Sequence, residues 1–519
     1  MLLGLHGGLA WVSRAPGIET GQDDAVYVLL GRSLAQGSYR DEFVVGSPPS
    51  RGFPPGYPAL LAGWSALFGE RYDTLVVLSI ACSIIALGLT FAVLRRSFGE
   101  PFALVSLAVL ALNPYLVNAA GRVASEAPYT MCSALALWAV TPSPTKPMML
   151  VIALGAGIAA ALTRSIGVTL VIALLVYWLW QRRYTTTTKL WIVAGAALVA
   201  WVVWRPSGFV PTRYLADATA PSNGSTPSLV RELIYRGVHN APAYLGLSLP
   251  RLLPLPAIPG TVLDNVAGIL IAAGGMALGL AVFARRWPAG ALYLVAYGTL
   301  LILWPWQVTR YVVPILGLAI PAVLVGVGAM ATRVKPRWEF PAVLALGGVL
   351  GLTALARTTR MIEVRSRCVR RLTPPPPSPT CIAPREASFF SVFEDIEHRT
   401  APDAIFVSAK AAPLFYYTRR KSLWFETALT SDSTSFVPAL ARAGAQYVLL
   451  SSLHTSEPRL AHLLSRQCQS LTVASSAPPQ TYVFAIDTNR RSGTEACDAL
   501  AAYERANADH DYTLGAWPP

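Results

Sequence analysis

The chain has 519 residues, of which 53% are hydrophobic and only 13% are charged. Soluble domains carry about 25% charged residues, so this composition excludes an ordinary water-soluble protein and indicates a polytopic membrane protein. The net charge of +14 fits Lys and Arg residues that flank membrane spans on the cytoplasmic side. No basic run with interleaved aromatic residues indicates a nucleic-acid site, so we expect no nucleic-acid partner.

Apolar segments predict a polytopic α-helical protein with about 11 transmembrane helices. The first segment is short, because about 20 residues are needed to cross a bilayer. Segment 58–68 is also short and is predicted to lie at the membrane interface. Together the spans form a transmembrane domain, 1–357, with two long loops, 17–73 and 205–261. The predicted spans are 1–16, 74–94, 101–118, 127–141, 147–162, 166–180, 190–204, 262–284, 289–304, 311–330 and 340–356.

The loops between these spans differ in charge from one side of the membrane to the other. Because positively charged loops stay in the cytoplasm, their side is predicted to be cytoplasmic. The loops that carry Asp23, Glu126, Arg164 and Arg310 then lie outside, as does the C-terminus. We therefore expect an integral protein of the bacterial inner (plasma) membrane with an extracytoplasmic active site. The loops with Lys or Arg that fall on the cytoplasmic side are 95–100, 142–147, 181–189, 285–288 and 332–339.

The composition changes after residue 357. Residues 358–384 are first basic and then Pro-rich, which is typical of a polyproline linker. Residues 385–519 alternate helical and strand patterns, which predicts an extracytoplasmic α/β domain. It has no Gly-rich phosphate loop and no His or Cys cluster with metal spacing, so we predict no catalytic role for it. The predicted elements are helices at Phe389–Arg399, Ser433–Ala443 and Glu457–Ser465, and strands at Ala404–Ser408, Gln446–Ser451 and Thr481–Asp487.

Four cysteines fall outside the predicted spans. An even set in an oxidising compartment predicts disulfides, with free thiols as the alternative. Of the three connectivities, we favour Cys368 with Cys381 and Cys468 with Cys497.

An acidic pair, Asp23 and Asp24, lies directly outside the first predicted span. It is followed by Tyr27 and by a Pro-Pro-Gly-Tyr-Pro motif that contains Tyr57. Carboxylates at this depth are costly unless they serve chemistry. The alternative role for one aspartate is the N-cap of the following helix, where Asp is favoured. The alternative for the Pro-rich motif is a purely structural turn.

Four further charged residues fall at span ends on the predicted outer side. Glu126 and Arg122 belong to the segment RVASEAPY, and Arg164 and Arg310 lie in two later turns. Arginines on this side run against the positive-inside bias, which indicates a function such as binding phosphate oxygens. The alternatives are a solvated interfacial acid for Glu126 and snorkelling side chains for the arginines.

In their order and sidedness, these motifs resemble the polyprenyl-phosphate-sugar-dependent glycosyltransferases of the C superfamily (GT-C fold). That group includes the protein O-mannosyltransferases and the aminoarabinose transferases that modify lipid A. The resemblance rests on the acidic pair, the Pro-Pro-x-Tyr motif, Ser125-Glu126, the Arg310-Tyr311-x-x-Pro314 turn and the C-terminal soluble domain. It covers the whole architecture.

The resemblance implies a membrane glycosyltransferase that moves a sugar from a polyprenyl-phosphate donor to a glycan, lipid or protein acceptor. Asp23 or Asp24 is expected to act as general base in one inverting step, and Glu126 to position the base or the acceptor. The arginines are expected to bind the phosphate, and Tyr27 and Tyr57 to line the site. We expect no cofactor. A divalent metal is not favoured, because two adjacent aspartates do not easily hold one ion on the same face.

Two other classes of function fit parts of the pattern. A secondary transporter or lipid flippase is expected to show internal repeats and broken spans near the midplane, and no repeat is visible. A membrane scaffold with an outer binding domain leaves the one-sided acids and arginines unexplained.

Overall fold

The computed structural model describes residues 1–21, 23–50, 52–141, 147–181, 228–255, 262–369, 383–423, 436–487 and 494–508. The chain divides into two compact units. The first unit is formed by Met1–Arg14, Arg51–Leu60 and Trp64–Glu363. The second unit is formed by Ala15–Ser50, Leu61–Gly63 and Val364–Pro519.

Helices dominate the described part of the chain. In chain order they are α1 (Leu2–Val12), α2 (Asp23–Ala35), α3 (Gly56–Phe68), α4 (Tyr72–Phe98), α5 (Glu100–Leu112), α6 (Pro114–Ala120), α7 (Glu126–Ala139), α8 (Pro147–Thr163), α9 (Val168–Trp180), α10 (Leu229–Ala243), α11 (Leu249–Leu252), α12 (Val262–Ile269), α13 (Gly275–Arg286), α14 (Pro288–Leu303), α15 (Leu316–Val334), α16 (Glu339–Val369), α17 (Pro384–Ser391), α18 (Phe393–Arg399), α19 (Ala411–Thr418), α20 (Phe436–Arg442), α21 (Glu457–Ser465) and α22 (Glu495–Asn507).

The helices of the first unit are the apolar ones, as predicted for a polytopic membrane protein. Among the described residues, four helices are long and apolar enough to cross a membrane, or five if one bent pair counts as a single span. Most predicted spans fall on these long helices, on the bent pair or on shorter apolar helices, whereas 127–141 falls on α7, which is in neither group, and 190–204 lies outside the described residues. The number of eleven spans stays a prediction. The four long helices are Tyr72–Phe98, Val266–Arg286, Thr309–Val334 and Pro336–Arg365.

The predicted span 101–118 is broken at Asn113, where α5 and α6 meet at an angle of 63°. The Oδ1 atom of Asn113 accepts hydrogen bonds from the backbone N–H groups of Tyr115 and Leu116, at 3.0 and 3.3 Å. Pro114 occupies the first position of α6, where its missing N–H is not needed. The Nδ2 atom of Asn113 donates to the carbonyl of Leu252 at 2.9 Å. A buried amide therefore satisfies the backbone groups that the break exposes.

The second unit contains a five-stranded mixed sheet with strand order β2-β1-β3-β5-β4. β1 pairs in parallel with β2 and β3, whereas β5 pairs antiparallel with β3 and β4. The sequence predicted an α/β domain here and located β1, β3, β5 and α21, but it did not predict β2, β4, α19 or α22. The strands are β1 (Ile405–Ser408), β2 (Lys421–Leu423), β3 (Tyr447–Leu450), β4 (Leu471–Ala477) and β5 (Thr481–Ile486).

A disulfide joins Cys468, which follows α21, to Cys497 in α22. The predicted pairing of these two cysteines is therefore confirmed. The other predicted pair, Cys368 with Cys381, lies outside the residues whose side chains the structure describes.

The first long loop contributes to the second unit, because its residues 15–50 belong there. The backbone N–H of Ser422 in β2 donates to the carbonyl of Phe43 at 2.9 Å, and the N–H of Val45 donates to the carbonyl of Ser422 at 3.0 Å. Val44 thus forms a parallel bridge with the edge strand of the sheet. The helix that begins at Asp23 is consequently built into the same unit as the C-terminal domain.

Candidate active site

Glu126 and two arginines form a buried ionic cluster in the first unit. Glu126 is the first residue of α7, and its side chain is 2% exposed. Its Oε1 atom accepts a hydrogen bond from Nη1 of Arg164 at 2.8 Å and another from Nε of Arg310. Nη1 of Arg164 also donates to Oγ of Ser125 at 3.0 Å. Three residues that the sequence predicted separately are therefore brought together, and we call Glu126, Arg164 and Arg310 the arginine clamp.

The arginine clamp carries two positive charges and one negative charge. Both guanidinium groups converge on one carboxylate oxygen, so Glu126 acts in this structure as their shared counter-ion. Guanidinium groups that are largely shielded from water favour anionic partners. The planar guanidinium fork fits phosphate oxygens particularly well. The role of Glu126 in positioning the base or the acceptor stays a prediction.

Arg164 is positioned by the turn that ends α8 and by the Pro-Pro-Gly-Tyr-Pro motif. Gly56 opens α3 and lies so close to α8 that a Cβ atom on it would be 2.7 Å from the carbonyl carbon and oxygen of Leu162. Leu162 precedes Arg164 by two residues. Only glycine fits this approach without a shift. Tyr57, which we predicted to line the site, is fully buried in α3, so the motif has at least a structural role here.

Arg310 is positioned by α10 and the residues after it, which belong to the second long loop. Four polar side chains at intervals of four residues face the segment 302–309, which leads to Arg310. We call them the polar ladder. All four are buried. The polar ladder consists of Arg236, Asn240, Tyr244 and Ser248.

The first half of the polar ladder binds the end of α14. Nη1 of Arg236 donates to the carbonyl of Leu303 at 3.2 Å, and its Nε pairs with Glu232 at 2.7 Å. Nδ2 of Asn240 donates to the carbonyls of Ile302 and Trp304, at 2.8 and 2.7 Å. These carbonyls end a helix and have no intrahelical partner, so the ladder satisfies them.

The second half binds the turn before Arg310. The side chain of Gln307 donates to Oδ1 of Asn240 at 2.6 Å. The N–H of Val308 donates to the hydroxyl of Tyr244 at 3.2 Å, and Oγ of Ser248 lies 3.1 Å from Oγ1 of Thr309. Sequence reasoning missed this network. The four-residue spacing of the polar side chains in α10 and the next turn was the signal that could have revealed it.

An apolar crevice begins at Glu126. Its first cavity is lined by α4, α6, α7 and residues 313–317, and includes Glu126. A second cavity reaches Trp287. Thr90, Thr130 and Gly317 line both, so the two cavities adjoin. Apart from Glu126 and a few hydroxyl groups, the walls are apolar.

The aspartate pair lies in the second unit, at the start of α2. Asp24 is buried, and its Oδ2 accepts the N–H of Glu19 at 2.7 Å while its Oδ1 accepts the N–H of Ala25 at 2.9 Å. Asp24 thus has the backbone-binding role expected of an acid at a helix N-terminus. Asp23 is half-buried and more accessible, and Tyr27 is buried within α2.

The remaining predicted residue is Arg122, which is half-buried in the turn between α6 and α7. Within the described ranges, no group of three or more His, Cys, Asp or Glu side chains is arranged to hold a metal ion.

Comparison with known proteins places this geometry in context. Residues 53–205 match the family model for dolichyl-phosphate-mannose-protein mannosyltransferase. No curated protein matches the chain in sequence. The fold is similar to that of ArnT from Cupriavidus metallidurans bound to undecaprenyl phosphate, with a TM-score of 0.59, 15% identity and coverage of 95% of this chain and 98% of that one.

A second similar structure is the oligosaccharyltransferase of Archaeoglobus fulgidus in complex with Zn and sulfate. Its TM-score is 0.52 at 13% identity, and the match covers 98% of this chain and 77% of that one. At these identities the structural matches show a shared fold. Together with the family model, they confirm the predicted resemblance to the polyprenyl-phosphate-sugar glycosyltransferases of the C superfamily.

Proposed function

We propose that this chain is an integral membrane glycosyltransferase that moves a sugar from a polyprenyl-phosphate donor to an extracytoplasmic acceptor, with inversion. The observation that carries the proposal is the arginine clamp: two arginines meet at one buried carboxylate beside an apolar crevice, and their guanidinium groups carry positive charge. That charge suits the phosphate of a lipid-linked sugar. The ArnT structure with undecaprenyl phosphate supports the same class of ligand.

The crevice next to the clamp supports a lipid donor. A polyprenyl chain is apolar and needs apolar walls, whereas its phosphate needs cations. The cavities from Glu126 to Trp287 offer both properties in one unit of the chain. We assign the crevice to the first isoprene units of the donor and the guanidinium groups of Arg164 and Arg310 to its phosphate.

The reaction is a single displacement at the anomeric carbon. A general base removes the proton of the acceptor hydroxyl, and the acceptor oxygen forms a bond to that carbon. The bond from the carbon to the phosphate oxygen breaks, and the lipid phosphate leaves with the electron pair. Because this leaving group is a weakly basic phosphate, it needs cationic stabilisation rather than a proton, and arginines supply it. The base later releases its proton to water.

We assign the general base to Asp23. Asp24 is buried and both of its oxygens accept backbone N–H groups, whereas Asp23 is more accessible. A base must reach the proton that it abstracts, so the accessible carboxylate suits the role better. We expect no metal ion in this step. We place the reaction on the outer face of a bacterial inner membrane, and about eleven spans remain our prediction.

Transfer of labelled sugar tests the proposal directly. The purified full-length protein in nanodiscs is given undecaprenyl-phosphate-linked hexoses and pentoses, and donor hydrolysis and sugar transfer are measured. We expect turnover with at least one donor, loss of more than 99% of it in Asp23→Asn, and a smaller loss in Asp24→Asn.

The alternative function, a secondary transporter or lipid flippase, gives a different result. It would move lipid between leaflets without breaking the bond between sugar and phosphate. Intact donor after long incubation, together with lipid movement between leaflets of reconstituted vesicles, would contradict the glycosyltransferase proposal and support the flippase.

A further inference from the structure

The helix α10 shows the reverse of the arrangement that is usual in water-soluble proteins. Its polar face, the first half of the polar ladder, is buried against the end of α14. Three apolar side chains, Val230, Ile234 and Val238, are 66%, 62% and 64% exposed. They precede the ladder positions by two residues, which is about 200° around a helix, so the two sets lie on opposite faces. A helix in water buries its apolar face instead.

The exposed apolar surface of α10 continues into a helix that is able to span the membrane. Leu245 and Leu247 follow α10 and are 39% and 73% exposed. The turn that carries them, Tyr244–Ser248, packs against the helical segment Val266–Arg286. That segment is long and apolar enough to cross a bilayer, and only 22% of its most apolar window is buried inside the protein. Its exposed side therefore faces lipid, and the apolar face of α10 is continuous with it.

The neighbours of α10 on its polar side indicate its depth in the membrane. α10 packs against α14, and Trp304 and Trp306 follow the last residue of that helix. The carbonyl of Trp304 accepts from Asn240 at 2.7 Å, and the side chain of Trp306 is 48% exposed. Tryptophan is enriched where the bilayer meets water. α10 therefore lies at the level of the interface, at the predicted outer end of α14.

The charges of α10 are compatible with contact to lipid. Glu232 is the one acid among the described residues 228–255, and it is buried and paired with Arg236 at 2.7 Å. No carboxylate of this described segment is thus exposed to lose its hydration among acyl chains. The sequence predicted only a loop outside the membrane for 205–261, and such a loop does not explain an outward apolar face.

We propose that α10 is a membrane-facing helix whose apolar face, Val230, Ile234 and Val238, contacts the acyl chains of the outer leaflet. Its polar face holds the segment that leads to Arg310. The bilayer therefore supports the position of Arg310 through α10. This second step rests on the proposed role of Arg310 in binding the donor phosphate, whereas the lipid contact itself is independent of that role.

Fluorescence quenching tests the lipid contact without any substrate. A genetically encoded fluorescent amino acid replaces Ile234 or Val238 in the full-length protein in nanodiscs. Phospholipids brominated in the upper part of the acyl chain report contact with lipid, because an interfacial helix lies about 5–10 Å into the boundary between head groups and acyl chains. Iodide reports contact with water. We expect brominated lipids to lower the fluorescence at both positions by about half, and iodide to have little effect.

Two exposed positions calibrate the quenching. Leu344, 53% exposed in the predicted span 340–356, is the control for lipid, and Arg399, with a side chain 68% exposed in α18, is the control for water. If iodide alone quenches the labels in α10, this face lies in water. If neither reagent quenches them, protein covers the face, such as a second copy of the chain. Either result overturns the inference.

Substitutions of Ile234 test the link to the arginine clamp. Ile234→Gln places an amide among acyl chains, which is costly and displaces α10, so we expect it to bind undecaprenyl phosphate about fivefold more weakly than the wild type in nanodiscs. Ile234→Leu keeps the apolar contact and the wild-type affinity. Leu344→Gln makes the same polar change on another lipid-facing helix, so it controls for general destabilisation and should also keep that affinity.

The outcomes separate this inference from the proposed function. Wild-type affinity in Ile234→Gln, or an equal loss of affinity in Leu344→Gln, overturns the link between the lipid contact and Arg310. A wild type that binds no undecaprenyl phosphate overturns the proposed function instead, and the quenching experiment then decides the lipid contact alone.

Discussion

Glu126 and Arg164 belong to different helices, yet Oε1 of Glu126 lies 2.8 Å from Nη1 of Arg164 and also accepts from Arg310. One carboxylate oxygen thus holds together residues from three separate segments of the first unit. Two guanidinium groups at one point are the arrangement that suits phosphate oxygens.

The first prediction concerns the two arginines. Replacing either Arg164 or Arg310 by Ala removes a charged hydrogen bond to the phosphate, worth about 1.5–3 kcal/mol, so donor affinity should fall about 10- to 100-fold. Lys at the same position should recover only part of it, because it lacks the guanidinium fork. Binding of undecaprenyl phosphate to the protein in nanodiscs measures this. Arg231→Ala, at an exposed position of α10, is the control. If both clamp variants bind undecaprenyl phosphate with wild-type affinity, the donor phosphate does not bind at Arg164 and Arg310.

The second prediction concerns Glu126. Glu126→Gln keeps the shape of the side chain but removes the negative charge that Arg164 and Arg310 share. Breaking a buried ion pair in this way costs about 3–5 kcal/mol, and the thermal unfolding temperature should fall clearly. Ser125→Ala, which removes the 3.0 Å bond from Arg164, should cost about 1 kcal/mol. Undecaprenyl phosphate should stabilise Glu126→Gln more than the wild type, since it supplies the missing negative charge. If undecaprenyl phosphate stabilises the wild type and Glu126→Gln equally, the donor phosphate does not bind at the arginine clamp.

The third prediction concerns the polar ladder. Asn240→Ala removes the bonds to the carbonyls of Ile302 and Trp304 and the bond from Gln307. Because these bonds fix the approach to Arg310, we expect weaker donor binding, by about tenfold, although Asn240 itself need not touch the donor. Its neighbour His239 is exposed and bonds only within α10 among the contacts described. His239→Ala should therefore leave donor binding unchanged. Equal effects of the two substitutions would show that the ladder does not act through Arg310.

The sequence predicted the fold class and the residues of the clamp, but not how they act. The alternation of spans and charged loops along the sequence predicts that Glu126, Arg164 and Arg310 lie on the outer side of the membrane. Their convergence on one oxygen depends on how the helices pack, and the order of spans and loops in the sequence does not determine that packing. For the same reason the pairing of Glu126 with the two arginines was not predicted.

The C-terminal domain shows a second limit of sequence reasoning. Its longer periodic elements, such as α21, were located, whereas the three-residue strand β2 was missed. β2 is too short to show an alternating pattern, and it gains its pairing from β1 and from the bridge at Val44. That partner is hundreds of residues earlier in the chain.

The fourth prediction concerns the disulfide and the side of the membrane on which the domain lies. If the domain is extracytoplasmic, Cys468 and Cys497 should resist alkylation in cells until a reductant is added. Replacing both by Ser should lower the unfolding free energy of the domain by about 2–4 kcal/mol. Labelling by a membrane-impermeant thiol reagent after reduction of intact spheroplasts measures the location. Labelling that requires lysis would place the domain in the cytoplasm. Replacing Cys132, which is a free thiol in α7, should leave this labelling unchanged.

The fifth prediction separates the structural role of the Pro-Pro-Gly-Tyr-Pro motif from a catalytic one. In Gly56→Ala the new methyl group would meet the carbonyl of Leu162 at 2.7 Å, and this atom belongs to a helix backbone that cannot easily move. α3 and α8 must then separate, which shifts the turn at Arg164, so both stability and donor affinity should fall. Gly63 lies in the same helix and has no atom within 4 Å of its Cβ position. Gly63→Ala should therefore raise stability by about 0.5–1 kcal/mol, the difference in helix propensity. If Gly56→Ala keeps wild-type stability but loses sugar transfer, the motif contacts the substrate rather than supporting Arg164.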